Sequence, residues 1–167
     1  MKIVYGVAAL AMAAGLIWAW TAMTAQLTLA GAPDLTPVVL FLEASVIAKL
    51  VMITCLLITI FGAMTALFGP IIALFRQPAA ARILALCLAL VGAIPALLGA
   101  LAWGYGEYIL AVATAQVGMV DAAVTAPGRA EGLLALALGL FPGLILIGSA
   151  FLTVVLADVF KPRPRPA

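Results

Sequence analysis

This 167-residue sequence is dominated by apolar runs too long for the helices of a small soluble domain. A membrane span takes about 20 mostly apolar residues, because each helical residue rises 1.5 Å and the hydrocarbon core is about 30 Å thick. Four stretches reach that length, from about Val4 to Ala22, Ile47 to Gly69, Ile83 to Trp103 and Gly132 to Val155. Charged residues are only 8% of the chain, against roughly 25% for a soluble protein, so a water-soluble fold is excluded. The runs are continuous rather than alternating, unlike the strands of a membrane barrel. In lipid, a helix satisfies its own backbone hydrogen bonds and an isolated strand cannot. The expected fold is therefore all-α, an integral membrane helical bundle with four transmembrane helices.

Residues 1–25 read in two ways. Lys2 before an apolar run that ends near Trp18 and Trp20 suits a retained transmembrane helix with aromatic residues at the headgroup level. A basic start, an apolar middle and Ala25 also suit a signal peptide, although Met23 is larger than the cleavage site prefers. Residues 38–157 form the membrane core, opening with an interfacial stretch at about 38–46 that Glu43 and Lys49 set apart from the span that follows. Pro95 interrupts the third long run, and the less apolar residues 104–130 connect it to the last. Residues 158–167 are a basic, proline-rich tail, extended and solvated.

Charge sets the direction. With Lys2 inside, four spans also put Arg76, Arg82, Lys161, Arg163 and Arg165 inside, leaving only Lys49 and Arg129 outside. Most acids then lie outside: Asp34, Glu43, Glu107, Asp121 and Glu131. The C-terminus is expected in the cytoplasm.

Few residues offer chemistry. Glu131 opens the last apolar run beside Arg129, and an ionisable group near membrane depth is a functional candidate. The plainer reading is an acid at the headgroup level, near the positively polarised end of its own helix. Glu107 lies between Tyr105 and Tyr108, as in an aromatic belt with one solvated acid. Thr54 and Thr65 are eleven residues apart and share a helical face. They form either a polar stripe along a pore or hydroxyls bonded to their own helix. Gly139 with Gly143, and Gly92 with Ala96, are small-residue pairs that let helices approach closely, in self-association, with a partner helix or within one chain. Without histidine, and with only Cys55 and Cys87 inside apolar runs, no metal, cofactor, nucleic-acid partner or enzyme chemistry is expected.

The segment VTAPGRAEGLLALALGLFPGL, Val124 to Leu144, resembles the last transmembrane signature of the ExbB/TolQ/MotA proton-channel family. LFLEASVIAKLVMITCLLITI, Leu40 to Ile60, is similar to that family's first core span, and IPALLGALAWG, Ile94 to Gly104, to a shortened copy of its glycine-rich span. The resemblance implies a homo-oligomeric bacterial inner-membrane assembly, a pentamer in the family. Its pore encloses a single-span ExbD- or TolR-like partner whose aspartate carries protons. Glu131 matches the family glutamate. The pore-lining threonine of the last span falls at Leu136, and Ala100, Leu101 and Ala102 occupy the region of the other threonine. The family's large cytoplasmic region is reduced to about Pro70 through Arg82.

Three functions follow as expectations. The first is a divergent proton-channel or energy-transduction subunit in which Glu131 tunes the pore and a partner acid carries the proton. The second is a noncatalytic membrane scaffold or interaction subunit, favoured by loss of both hydroxyls. The third is a small-molecule transporter built on the helix broken at Pro95, disfavoured by the lack of an inverted repeat.

Overall fold

A computed structural model of the chain describes residues 2–31, 36–74, 78–118 and 121–160. Asp34, Arg76 and the tail cations Lys161, Arg163 and Arg165 lie outside the described residues. The fold is all-α: α1 (Lys2–Leu29), the short α2 (Pro37–Glu43), α3 (Val46–Leu74), α4 (Pro78–Val117) and α5 (Ala122–Val159). Four of these helices are long and apolar enough to cross a membrane, and the protein is a multi-span all-α membrane protein. No strand occurs among the described residues.

The helix boundaries follow local chemistry. Thr36 caps α2, its hydroxyl accepting from the Val39 amide at 3.4 Å, and Pro37 takes the first turn, where no amide donor is needed. Ala44 and Ser45 break the chain between α2 and α3. Asp121 starts α5 by accepting from the Ala123 amide at 3.1 Å. Helical structure continues through Pro70, Pro95, Pro127 and Pro142. At 40 residues α4 is roughly 60 Å long, about twice what the hydrocarbon core requires.

α5 is the axis of the bundle. It packs against α1, α3 and α4, while α1 packs chiefly on α5 alone. Its small residues allow this. A methyl on Gly99 of α4 would lie 2.8 Å from the Ala135 carbonyl oxygen, and one on Gly143 would lie 2.9 Å from that of Gly92. Such spacing admits only glycine, so α4 and α5 meet backbone to backbone. Toward the end of α5, Ala73, Ala81 and Ala157 close the contact between α3, α4 and α5. Nearby, Ser149 donates its hydroxyl hydrogen to the Ala66 carbonyl, joining α5 to α3.

α1 contributes side chains rather than bare backbone. Ala19 and Met23 are buried, and Ala19 clusters with Leu136 and Ala137 of α5. Trp18 meets Trp103 of α4 edge to face, with ring centroids 5.7 Å apart. At the start of α1, Lys2 pairs with Asp158 at 2.8 Å, and Arg82 pairs with the same carboxylate at 3.3 Å. Lys2, Arg82 and Asp158 therefore share one end of the bundle, as charge placement predicts for the four-span order.

Candidate functional site

The polar groups of the opposite end gather where α2 gives way to α3. The first amides of α3 need acceptors that their own helix cannot supply. Ser45 stands just before that turn, and its hydroxyl oxygen lies 3.4 Å from the Ala48 amide, which donates to it. Glu131 supplies the other acceptor from α5. Its Oε1 accepts from the Ser45 amide at 3.1 Å and from the Ser45 hydroxyl at 2.8 Å.

The sequence suggests an acid near the amino end of its own helix, but α5 begins at Ala122, more than two turns earlier. The carboxylate serves the amino end of α3 instead. Asp158 lies roughly 40 Å further along α5 at 1.5 Å per residue, about the thickness of a bilayer with its headgroup regions. Glu131 and the Asp158 ion cluster therefore stand at opposite ends of the bundle.

A cleft of about 360 Å³ opens beside Glu131, between α3, α4 and α5. Ser45 and Glu131 give it one polar wall, Tyr105 and Gly106 stand on α4, and Ala48, Ala102 and Ala135 line its apolar part. Further out, Arg129 Nε lies 3.6 Å from Glu107 Oε2, bridging α5 and α4 with both side chains well exposed. The pair borders a smaller cleft of about 290 Å³ with Thr114 and Thr125.

The other candidates lie elsewhere. Leu136 is 7% exposed and packed with Ala19 of α1, so it faces neither water nor lipid. Thr54 donates to the Leu50 carbonyl at 2.8 Å and Thr65 to the Gly62 carbonyl at 2.9 Å. Both line an open groove of about 430 Å³ between α3 and α4, whose other walls include Leu57, Phe61, Leu84 and Leu88. Their hydroxyl hydrogens are committed to their own helix. Gly92, Gly139 and Gly143 lie in the α4–α5 crossing of a single chain, and Ala96 of the same helix is partly buried. Cys55 is buried and Cys87 exposed on the membrane face of the bundle. Among the described residues no group of His, Cys, Asp or Glu is placed to hold a metal ion.

Ser45 is the residue that sequence reasoning does not reach. Its partner is 86 positions away, and the only local signal is a serine just before an apolar helical run. No protein-family model matches the chain, and neither a curated protein nor a solved structure is significantly similar to it.

Proposed function

We propose that this chain is a noncatalytic membrane scaffold or interaction subunit, ExbB/TolQ-like in span order, set in a bacterial inner membrane with its C-terminus in the cytoplasm. One observation carries the reading: Leu136, at the position the resemblance assigns to a pore-lining threonine, is covered by α1. A leucine sealed between helices offers neither a water path nor a hydroxyl to order water. The exposed outer faces of α3 and α4, which include Phe61, Met64, Phe68 and Leu97, remain for other chains of the assembly.

Native mass measurement in mild detergent tests this reading. The expected species is larger than one chain, as a homo-oligomer or with a co-purifying single-span helix. A monomer without a partner contradicts it.

The second reading, a divergent proton-channel subunit with an ExbD- or TolR-like partner, draws on Glu131. Only its Oε1 is engaged by Ser45, so the carboxylate keeps capacity to act on charge in the adjoining cleft. Proton flux into vesicles containing the protein and such a partner separates the two. The scaffold reading expects the leak of empty vesicles. Flux that Glu131→Gln abolishes replaces it with the channel reading.

A further inference from the structure

Charged side chains are divided unevenly between the two ends of the bundle. Among the described residues, Glu43, Glu107, Asp121 and Glu131 outnumber Lys49 and Arg129 at the end where α2 meets α3. At the other end Lys2 and Arg82 share a single acid, Asp158. The KPRPRPA tail begins three residues after Asp158 and adds Lys161, Arg163 and Arg165 with no further acid. Neither functional reading uses this excess of positive charge.

Two of these cations are held together by the fold. Lys2 Nζ lies 2.8 Å from one oxygen of Asp158, and Arg82 lies 3.3 Å from the other. The Asp158 side chain is 19% exposed, whereas those of Lys2 and Arg82 are 52% and 49% exposed. The carboxylate therefore sits beneath, and the two cations stand over it. One anion shared by two cations leaves the group positive. A guanidinium has five N–H donors and an ammonium three, so both keep donors for a second anion.

Position selects that anion. The cluster lies where the membrane-spanning lengths of α1 and α4 begin, and apolar sequence follows directly from Ile3 and from Ile83. Leu86 lies one turn further along on the Arg82 face of α4 and is exposed, as is Val7 of α1. Cations thus stand at the edge of exposed apolar surface, where the nearest anions are lipid phosphates.

We propose that Lys2 and Arg82 form a docking site for an anionic phospholipid. Its phosphate accepts from the outward N–H groups of both side chains, and its acyl chains lie along the apolar surface that includes Leu86 and Val7. Asp158 is a positioning residue that holds the pair from beneath. The tail cations add attraction for the same lipid surface. A choline or ethanolamine head carries its own cation, which the excess positive charge repels. The site therefore prefers a head with net negative charge, such as that of phosphatidylglycerol.

The test uses the purified full chain with equimolar phosphatidylglycerol and phosphatidylcholine of matched acyl chains, read as retained lipid by native mass spectrometry. Phosphatidylglycerol is expected to exceed phosphatidylcholine by about tenfold, the scale of two basic side chains against an anionic surface. Lys2→Gln with Arg82→Gln lowers that ratio about fivefold, the tail cations accounting for what remains. That variant takes two cations from Asp158, so a triple variant that adds Asp158→Asn repeats the measurement with no stranded carboxylate and gives the same drop. Lys49→Gln removes a like charge at the opposite end and keeps the wild-type ratio. Excess inorganic phosphate at matched ionic strength leaves the lipid bound. Near parity in the wild type overturns the proposal. So does a ratio unchanged in the triple variant, an equal drop in Lys49→Gln, displacement of the lipid by inorganic phosphate, or an acidic polypeptide retained in place of both lipids.

Discussion

α4 and α1 hold α5 in different ways. Along α4 the contact is backbone on backbone, with Gly92 and Gly99 facing Gly143 and Gly139 and no space for a methyl group at the crossing. Along α1 the contact is made by side chains. A Cβ at Gly15 would lie 3.2 Å from the end of Leu140, and one at Gly143 would lie 3.0 Å from the Met12 sulfur. Backbone cannot yield, whereas Leu and Met side chains change rotamer. The α4–α5 crossing is therefore the rigid element, and α1 is an adaptable cover over the rest of α5. That difference bears on function, because Leu136 is shielded by the adaptable partner.

The largest effect is expected at the rigid crossing. Gly139→Val drives two methyls toward the Pro95 carbonyl and Gly99, and the protein loses about 3 kcal/mol, the upper end for overpacking. Thermal unfolding in detergent reads this as a sharp drop in midpoint or as failure to accumulate folded protein. A wild-type midpoint breaks the comparison. Ala19→Phe forces a ring into the fully buried α1–α5 seam and costs about 1–2 kcal/mol, less than Gly139→Val because α1 can shift outward. Equal losses from the two variants would mean that α1 is as fixed as α4.

Asp158→Asn comes next. It leaves Lys2 and Arg82, both about half exposed, without their shared carboxylate, and costs about 1 kcal/mol, as expected for a solvent-screened cluster. Repeating the unfolding at high salt narrows the gap between wild type and variant, because screening removes the same interaction. Gly15→Ala has the smallest effect. Leu140 yields a few tenths of an ångström, and the helix gains up to about 1 kcal/mol of propensity, so the midpoint stays level or rises slightly. A clear loss there would show that α1 also packs rigidly.

Much of the fold is legible in the sequence because lipid leaves the backbone few options. Long apolar runs dictate helices, and cations at Lys2 and Arg82 mark one end of the bundle, where the structure joins both to Asp158. Glu43 and Lys49 flag the break that separates α2 from α3. What the sequence does not carry is pairing. A glycine pair announces close approach but not the identity of the approaching helix, and here Gly139 and Gly143 meet α4 of their own chain. Glu131 is conspicuous as an acid beside an apolar run, yet its hydrogen-bond donor lies on another helix. The length of α5 before Glu131 is equally hidden, since Ala122 through Ala130 mixes apolar residues with Pro127, Gly128 and Arg129. Exposure of Leu136 depends on whether residues 1–25 stay with the protein, a question the sequence leaves open.

In this structure α1 lies along α5 within one chain and closes the face around Leu136. Paired substitution Gly15→Cys with Leu140→Cys, in a background of Cys55→Ala and Cys87→Ala, tests it directly in native membranes with a short bifunctional thiol reagent. The expected product is an intrachain link between residues 15 and 140, with the mass of one chain plus one spacer. A link formed only between chains, or no link while both thiols remain reactive, would contradict it.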